Sequence, residues 1–409
     1  MRHIYLINSD SRAAQYGIGT YIIQVINCLS SIDSLRLTVV SMNSEDGILT
    51  EKKDNNVRYL TFPKVYDWRS EKEIQRYYRS VAFLLALYVD SSEDNVFHFN
   101  YLHHEPLVDL LKKIYPTSQF VLTLHYLNWC FTLKGNIKRL QTVLDKAEND
   151  RTEEEKYIYD EYKQEVSFYR KVDRIICLAQ YTKMLLNEFY GIEECKLTLI
   201  YNGLIDQAIF LDEVERMQRK RDLFFGEGEK LILFVGRLDD IKGVDYLIEA
   251  FAKVIKKSLN TRLLIVGDGN YSRYLQMSAD IWSRITFIGK ISKQKLYEFY
   301  QIADVGVMPS FHEQCSYVAI EMMMHGLPLI ITNTTGLSEM IHHQNVECRL
   351  ILKEDQNELR LSVEELSKCL LKIVTDDCWA REVGKLNRCR YKDAFSLEKM
   401  RMAFESFYS

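Results

Sequence analysis

Two glutamates, Glu313 and Glu321, lie eight residues apart, shortly after an apolar run that ends at Pro309. Eight residues are just over two turns of an α-helix. A helix that begins near Ser316 therefore turns Glu321 toward a ligand crevice, while Glu313 stays in the preceding loop. Carboxylates suit the hydroxyl groups of a ribose or a hexose. The alternative is an exposed helix charge, but residues 318–323 are mostly apolar, and a buried carboxylate needs a partner.

Two basic residues, Arg237 and Lys242, share one loop after the apolar run of residues 231–235. The arginine fork grips phosphate oxygens, and the lysine adds a point charge. A solvated basic pair is the alternative. Gly236 and Gly243 on either side, and the position at the end of a strand, favour a phosphate site.

Glycines occupy further loops that precede predicted helices or end predicted strands. Gly17 and Gly19 lie between the first predicted strand and the first predicted helix, and Gly267 and Gly289 each end a strand. Glycine lets the backbone approach a ligand, and a helix N-terminus offers free N–H groups to a phosphate. A plain tight turn is the alternative for each. The early pair is not the dinucleotide-binding fingerprint, because Ile22 stands where the third glycine belongs.

The histidines and acidic residues give no pattern typical of a metal site. His125 ends the run of residues 120–124, where a lone histidine is as often structural as functional. The neighbours His103 and His104 cannot easily share one ion, and the chain contains no Asp-x-Asp sequence. We therefore expect no metal and no cofactor, so that arginine, lysine and backbone amides must hold any phosphate.

These candidate residues sit at the ends of apolar runs that alternate with amphipathic segments. The first series comprises residues 3–7, 35–41, 96–99, 120–124, 174–178 and 197–201. The second comprises residues 231–235, 262–266, 285–288, 304–308 and 327–332. Alternation of strands and helices predicts parallel sheets, and ligands bind at the carboxyl edges of such sheets. The fold class is therefore α/β, with a boundary between residues 201 and 230.

Whole-chain properties exclude several classes of protein. The 409 residues suit two domains, and the net charge of −4 does not suit a nucleic-acid partner. No apolar run approaches the ~20 residues of a membrane-spanning helix. The start of the chain lacks the features of a signal peptide, and nine scattered cysteines fit reduced thiols. We expect a cytoplasmic protein.

The order and spacing of these residues resemble the retaining glycosyltransferases of family 4. The most specific part is the Glu-x7-Glu spacing of Glu313 and Glu321, with Gly326 and Pro328 after it. The resemblance implies the GT-B fold, in which two Rossmann-like domains face each other across a cleft. Residues 1–205 would form the N-terminal acceptor-binding domain, and residues 206–392 the nucleotide-sugar-binding domain. Residues 393–409 would form a helix that packs back on the N-terminal domain.

The resemblance also implies roles for individual residues. The implied catalytic residues are Glu313, His125, Arg237 and Lys242. The implied donor-binding residues are Gly17, Gly19, Arg237, Lys242, Gly267, Gly289, Lys290, Ser316, Tyr317, Val318 and Glu321. The basic pair would bind the diphosphate, Glu321 the ribose and Glu313 the transferred sugar, with His125 near the reacting face.

One loop departs from the family pattern. Relatives often read Glu-Gly-Phe-Gly where this chain has Glu313, Gln314, Cys315 and Ser316. Loss of two glycines narrows the backbone conformations open to the loop. A non-catalytic protein that binds sugar nucleotides is therefore one alternative. A GT-B nucleotide-sugar epimerase is another, and a phosphorylase is disfavoured by the short chain.

The resemblance implies transfer of a hexose from a UDP- or GDP-linked donor to a glycan or a lipid-linked acceptor. The expected reaction retains the anomeric configuration, needs no metal and belongs to the synthesis of surface polysaccharides or glycoconjugates. Residues 68–79 are basic and aromatic. They could contact the inner surface of a membrane, although an ordinary solvated helix face is the alternative.

Overall fold

The structure is a computed structural model that describes residues 1–10, 17–64, 70–355 and 358–409. The chain divides into two compact units. The first unit consists of Met1–Asn128, Ala147–Asn202 and Leu397–Ser409, and the second consists of Trp129–Lys146 and Gly203–Ser396.

Both units are built from strands and helices that alternate along the chain. The strands of the described residues are β1 (Arg2–Ser9), β2 (Leu35–Ser44), β3 (Thr50–Asp54), β4 (Val57–Pro63), β5 (Asp94–Phe99), β6 (Gln119–Leu124), β7 (Arg174–Cys177), β8 (Leu197–Leu199), β9 (Lys230–Val235), β10 (Thr261–Val266), β11 (Ile285–Gly289), β12 (Val305–Met308), β13 (Leu329–Thr332), β14 (Arg349–Leu350), β15 (Leu352–Asp355) and β16 (Glu358–Leu361). The α-helices are α1 (Gly17–Leu29), α2 (Glu71–Ala86), α3 (Glu105–Ile114), α4 (Trp129–Thr132), α5 (Ile137–Asp145), α6 (Glu153–Lys171), α7 (Gln180–Glu188), α8 (Glu213–Asp222), α9 (Val244–Val254), α10 (Tyr271–Met277), α11 (Lys293–Ile302), α12 (Tyr317–Met324), α13 (Val363–Thr375), α14 (Asp377–Arg390) and α15 (Leu397–Tyr408).

The first unit contains a sheet in the order β3-β4-β2-β1-β5-β6-β7-β8. Every neighbouring pair is parallel except β3 and β4. Strand β1 lies inside the sheet, and its apolar run is buried along its length. Continuous burial of this kind is typical of a parallel strand with helices on both faces of the sheet.

The second unit contains a parallel sheet in the order β11-β10-β9-β12-β13-β14. Helix α9 shows how its helices attach, because Val244, Leu247, Ile248 and Phe251 repeat at the spacing of one helix face and are all buried. Two parallel α/β sheets confirm the predicted fold class. None of the helices in the described residues combines the length and the apolar character needed to cross a membrane.

The hairpin of β3 and β4 was not predicted from the sequence. Residues of β3 are almost all exposed and mostly charged, so the strand has no alternation of apolar and polar residues. Its turn at Asn55 adopts a left-handed φ of 51°, which asparagine tolerates better than most residues. An exposed edge strand is stabilised by backbone hydrogen bonds to its neighbour. Backbone hydrogen bonds do not depend on the side chains, so the sequence pattern does not indicate the strand.

Residues 129–146 differ from the predicted domain division, which assigned them to the N-terminal domain. They cluster with the second unit, although they lie between two strands of the first. Lys138 forms an ion pair with Glu354 of β15 at 3.2 Å, and the backbone at Gly135 packs against Phe311. These contacts join residues far apart in sequence, so the charged composition of the segment did not indicate them.

The last helix, α15, belongs to the first unit and packs on α1. The Tyr408 hydroxyl lies 2.8 Å from Nδ1 of His98, and Arg174 donates to the carbonyl of Phe407 at 2.7 Å. A buried hydrogen bond of this kind needs both partners in place. The end of the chain is therefore part of the core of the first unit.

A buried carboxylate, Asp304, ties α8 to the start of β9 in the second unit. It accepts hydrogen bonds from Arg216 at 2.9 Å, from Lys220 at 2.9 Å and from the backbone N–H of Leu231 at 2.7 Å. Burial alone would raise the pKa of Asp304, but Arg216 and Lys220 hold it below its usual value. The carboxylate is therefore charged in the folded protein.

We expect Asp304→Asn to destabilise the second unit by about 3–5 kcal/mol, because it leaves two cations without their shared partner. The measurement is thermal unfolding by calorimetry, with the exposed Asp280→Asn as control. The folded pKa is lowered, so the contribution is complete above the pKa of an unfolded aspartate, about 3.9, and is lost as the pH falls through the folded value. Equal unfolding temperatures for the two variants at pH 7 would contradict this role.

Candidate active site

The loops at the carboxyl ends of β9 and β10 touch through their backbones. Gly267 has a φ of 143°, and a Cβ placed there would lie 1.8 Å from the carbonyl oxygen of Gly236. A Cβ at Gly269 would lie 2.4 Å from the carbonyl oxygen of Leu238. Only glycine fits at either position, because any side chain would collide with backbone. Backbone hydrogen bonds stabilise the contact, including one in which the N–H of Leu238 donates to the carbonyl of Asp268 at 2.7 Å.

The loop after β11 continues this row. The N–H of Gly267 donates to the carbonyl of Gly289 at 3.0 Å, and Gly289 adopts a left-handed φ of 82°. Lys290 follows it and is exposed. The structure thus brings Gly267 and Gly289 together at one sheet edge, as the strand-end rule predicts.

A second backbone contact joins the loop of Lys242 to the loop of Glu313. Gly243 has a φ of 63°, and a Cβ placed there would lie 2.2 Å from the carbonyl oxygen of Pro309. The N–H of Phe311 donates to the carbonyl of Ile241 at 2.8 Å. The two loops are therefore held as one body.

This contact places a cation against a carboxylate. Lys242 Nζ lies 2.5 Å from Glu313 Oε1, and the two side chains are only 16% and 14% exposed. The Ser310 hydroxyl donates to the same carboxylate oxygen at 3.3 Å. A charge pair so far withdrawn from water interacts more strongly than one on the surface. The sequence predicted both residues for the site, and the structure brings them together.

Thr335 fixes the backbone of Glu313 and was missed by the sequence analysis. Its hydroxyl accepts from the Glu313 N–H at 3.0 Å and donates to the Glu313 carbonyl at 2.7 Å. The N–H of Gly336 also donates to that carbonyl, at 3.0 Å. Thr335 adopts a φ of 37°, in the left-handed region that a β-branched residue rarely enters. Backbone strain of this kind is concentrated at functional sites.

Arg237 lies on the same loop as Lys242 and is more exposed. Its side chain is 40% exposed and lies 3.2 Å from Asp239. Burial raises the pKa of Asp239, against the opposing effect of Arg237 and Lys242. Two cations therefore share one loop, and the guanidinium is the more accessible to a ligand.

Glu321 is buried in α12, a helix capped by the Ser316 hydroxyl, which accepts from the Ala319 N–H at 3.4 Å. Glu321 is only 4% exposed. Its Oε1 lies 2.9 Å from Lys293 Nζ, and the Tyr300 hydroxyl donates to its Oε2 at 3.0 Å. The sequence analysis predicted that a buried Glu321 needs a partner, and the structure provides two, Lys293 and Tyr300. Neither residue was identified from the sequence.

The two replaced glycines leave the backbone unstrained. Ser316 has a φ of −72°, and Gln314 is not among the residues with positive φ. Tyr317 is buried and Val318 half-buried at the start of α12. The loop after Glu313 therefore adopts an ordinary conformation without glycine.

His125 lies in the first unit, directly after β6, as predicted. Its Nε2 is 3.2 Å from Asn100 Oδ1, and the Asn100 amide donates to Asn8 Oδ1 at 2.9 Å. Because the amide nitrogen of Asn100 is the donor to Asn8, its oxygen accepts, and His125 carries its proton on Nε2. Burial lowers the pKa of His125 to about 3. The ring is neutral at pH 7, and Nδ1 is left as an acceptor.

Gly17 and Gly19 also belong to the first unit, but they do not form the predicted loop. Both are helical, within α1 (Gly17–Leu29). Apart from its chain neighbours and its own helix backbone, no atom of the described residues lies within 4 Å of a Cβ placed at Gly17. Four residues after Gly17, the ring of Tyr21 packs edge-on against His125 with centroids 4.6 Å apart. Helix α1 therefore contacts His125 through Tyr21.

Each unit thus collects its own set of predicted residues. The second unit holds Arg237, Lys242, Gly267, Gly289, Lys290, Glu313, Ser316, Tyr317, Val318 and Glu321, and the first unit holds Gly17, Gly19 and His125. No group of three potential metal ligands occurs in the part of the chain that the structure describes.

Two family models match the chain. The model of Glycosyltransferase Family 4 matches residues 16–207. The model of Glycosyl transferases group 1 matches residues 229–369.

Individual proteins match it as well. An uncharacterised glycosyltransferase of Methanocaldococcus jannaschii is 32% identical over 176 residues, which are 42% of this chain and 45% of the relative. The chain spans about half the length of the curated relatives it matches. Sucrose-phosphate synthase of Thermosynechococcus elongatus superposes with a TM-score of 0.74 at 19% identity, covering 100% of this chain and 98% of its own. Anabaena HepE in complex with UDP and glucose has a TM-score of 0.70 at 14% identity, covering 98% of each chain.

We expect Gly243→Ala to separate Lys242 from Glu313, because the new Cβ would collide with the Pro309 carbonyl. The matched control is Gly228→Ala, since Gly228 has a similar φ of 68° but a nearest atom at 3.6 Å. The control should lose only about 1 kcal/mol from left-handed strain, whereas Gly243→Ala should lose at least ~2 kcal/mol more. Urea unfolding measures the difference. Equal losses would show that the backbone contact is not what holds the loops.

Proposed function

We propose that this chain, which matches the models of Glycosyltransferase Family 4 and of Glycosyl transferases group 1 and shares the GT-B fold of solved glycosyltransferases, transfers a hexose from a nucleotide-diphosphate sugar to an acceptor hydroxyl. The observation that carries the proposal is the rigid pair of loops that sets Lys242 against Glu313 with Arg237 beside them. Such loops present two cations to a diphosphate and one carboxylate to a sugar.

The proposed donor is UDP- or GDP-linked. The solved structure of HepE with UDP and glucose supports a nucleotide of this kind, since its fold is the same. We assign the diphosphate to Arg237 and Lys242, and the ribose to Glu321. Lys293, whose side chain is 45% exposed, forms an ion pair with Glu321 at 2.9 Å beside the proposed ribose position.

The proposed reaction retains the anomeric configuration and uses no metal. The bond from the anomeric carbon to the diphosphate breaks, and the acceptor oxygen bonds to the same face of that carbon. The departing phosphate oxygen takes the acceptor proton. Arg237 and Lys242 stabilise the charge that grows on the diphosphate, and because their loop is already fixed they need little reorganisation. We assign no nucleophile to the protein, and we assign to His125 the role of a neutral group that hydrogen-bonds a sugar hydroxyl.

The proposed acceptor is a glycan or a lipid-linked sugar, in the synthesis of surface polysaccharide or glycoconjugate. Helix α2 supports contact with the inner surface of a membrane, because Arg76 and Arg79 are exposed and Phe83 is 66% exposed on the same helix. Trp68, which belongs to the predicted membrane-facing segment, lies outside the described residues. The cytoplasmic location stays a prediction.

A panel of nucleotide sugars tests the proposal. We expect one UDP- or GDP-hexose to raise the unfolding temperature, since a ligand at 100 times its dissociation constant stabilises a protein by about 2.7 kcal/mol. With that donor and an oligosaccharide acceptor pool in EDTA, NMR should show a new glycoside with the anomeric configuration of the donor. Loss of activity in EDTA that added metal restores would contradict metal independence.

Other products would separate the alternatives. Donor binding with neither transfer nor slow hydrolysis would indicate a non-catalytic binding protein. An altered sugar that remains attached to the nucleotide would indicate an epimerase.

We expect Arg237→Ala and Lys242→Ala each to slow transfer by about 10²–10³-fold, equivalent to about 3–4 kcal/mol, because each removes a fixed donor to the leaving diphosphate. The double variant should lose less than the product of the two, since both serve one charge. Arg237→Lys should recover part of the loss, because lysine lacks the bidentate fork. The measurement is single-turnover transfer at saturating donor.

The matched control for these variants is Lys257→Ala, an exposed lysine of the same unit. It should transfer at the wild-type rate. Normal rates for both single alanine variants, with intact circular dichroism, would remove the basic pair from the mechanism.

A further inference from the structure

A strained turn between α4 and α5 lies against the candidate site of the second unit. Lys134 has a φ of 49° and Gly135 a φ of 72°. Two consecutive left-handed residues make a tight reversal of the chain. The left-handed conformation is sterically unfavourable for a lysine and not for a glycine. The turn is nevertheless well fixed, because the Gly135 N–H donates to the Cys130 carbonyl at 3.1 Å and Asn136 caps α5.

The turn packs against the loop that contains Glu313. A Cβ at Gly135 would lie 3.1 Å from the Phe311 carbonyl oxygen, 3.3 Å from Cγ2 of Thr335 and 3.4 Å from Cβ of His312. Thr335 is the residue whose hydroxyl holds both backbone groups of Glu313. The reversal at residues 134–135 therefore positions Lys134 next to the Glu313 loop within the same unit.

The ammonium of Lys134 has no carboxylate to balance it. Its Nζ lies 5.6 Å from the centroid of the Phe311 ring, and it forms no ion pair with any residue in the described ranges of the chain. The two cations of the candidate site do have carboxylate partners, since Lys242 pairs with Glu313 and Arg237 with Asp239. Even Lys138, on the same segment, pairs with Glu354.

Stability does not account for a lysine at this position. Glycine would adopt the left-handed conformation at no steric cost. For lysine that conformation costs roughly 1–2 kcal/mol, which a cation–π contact with Phe311 of about 0.5–1 kcal/mol does not offset. A strained, half-buried and unbalanced cation beside a candidate site is instead suited to an anion that arrives with the substrate.

We propose that Lys134 binds a phosphate group of a substrate at the Glu313 loop. The proposal rests on the proposed function, which supplies two sources of such a group. One is the diphosphate of the nucleotide donor, and the other is a phosphate carried by the acceptor. In both cases the ammonium acts as a point charge that balances an anion in a partly desolvated position.

The test uses Lys134→Gly and Lys134→Gln, with Lys138→Gln as control. Calorimetric titration measures binding of UDP, of inorganic pyrophosphate, and of glucose 6-phosphate and glucose in the presence of UDP. We expect loss of the charge to weaken at least one phosphate-bearing probe by about tenfold. Glucose, which carries no phosphate, should bind all four proteins alike.

The arms distinguish the sources of the phosphate. Weaker UDP in the Lys134 variants assigns the residue to the donor, and weaker glucose 6-phosphate alone assigns it to the acceptor. Pyrophosphate keeps the test independent of the proposed function: if the wild-type protein binds no UDP but binds pyrophosphate through Lys134, the function fails and this inference stands. Dissociation constants of the Lys134 variants within twofold of the wild type for every probe that binds, or no binding of any phosphate probe to the wild type, would overturn it.

Stability gives a second readout that a purely structural role would not produce. Because glycine relieves the left-handed strain, Lys134→Gly should unfold at the same temperature as the wild type or a few degrees higher, while its phosphate binding falls. A lower unfolding temperature with unchanged binding would instead mark Lys134 as a structural residue and overturn the proposal.

Discussion

The second unit depends on backbone packing that only glycine permits. At Gly243, Gly267 and Gly269, a Cβ would lie between 1.8 and 2.4 Å from a carbonyl oxygen of the neighbouring loop. Parallel strands bring their carboxyl ends to one edge, but they do not by themselves bring the following loops into contact. The missing side chains allow that contact. Once it is made, the loops of Arg237, Lys242 and Glu313 cannot move independently.

The charges of the site follow from this packing. Lys242 and Glu313 meet at 2.5 Å in a position that water barely reaches, so each offsets the cost of burying the other. In the proposed function, an arriving diphosphate competes with Glu313 for the lysine, and the carboxylate is then released toward sugar hydroxyls. The loops need not move for this exchange, because only the partners of the ammonium change. Thr335 keeps the backbone of Glu313 in place while the side chain changes partners.

The sequence predicted the elements of the site better than their contacts. Apolar runs located β9 to β13, and the apolar neighbours of Glu321 correctly indicated a buried carboxylate. The partners of these residues were not predictable, because Thr335 is 22 residues from Glu313 and Tyr300 is 21 residues from Glu321. The rule that parallel strands bring their carboxyl ends to one edge predicts which loops are neighbours, but it does not predict which atoms are in contact. The same limit hid the packing of residues 129–146 on the second unit.

The two units differ in the kind of group that their sheet edges can bind. The polar groups around His125 in the first unit are uncharged, since His125 is neutral and its hydrogen-bond neighbours Asn100 and Asn8 are amides. Neutral donors and acceptors in a buried setting match hydroxyls and would leave a phosphate unbalanced. The edge of the second unit carries Arg237 and Lys242, which match a phosphate. This contrast follows from the side chains of each unit alone, and it agrees with the proposed function, in which Arg237 and Lys242 bind the diphosphate.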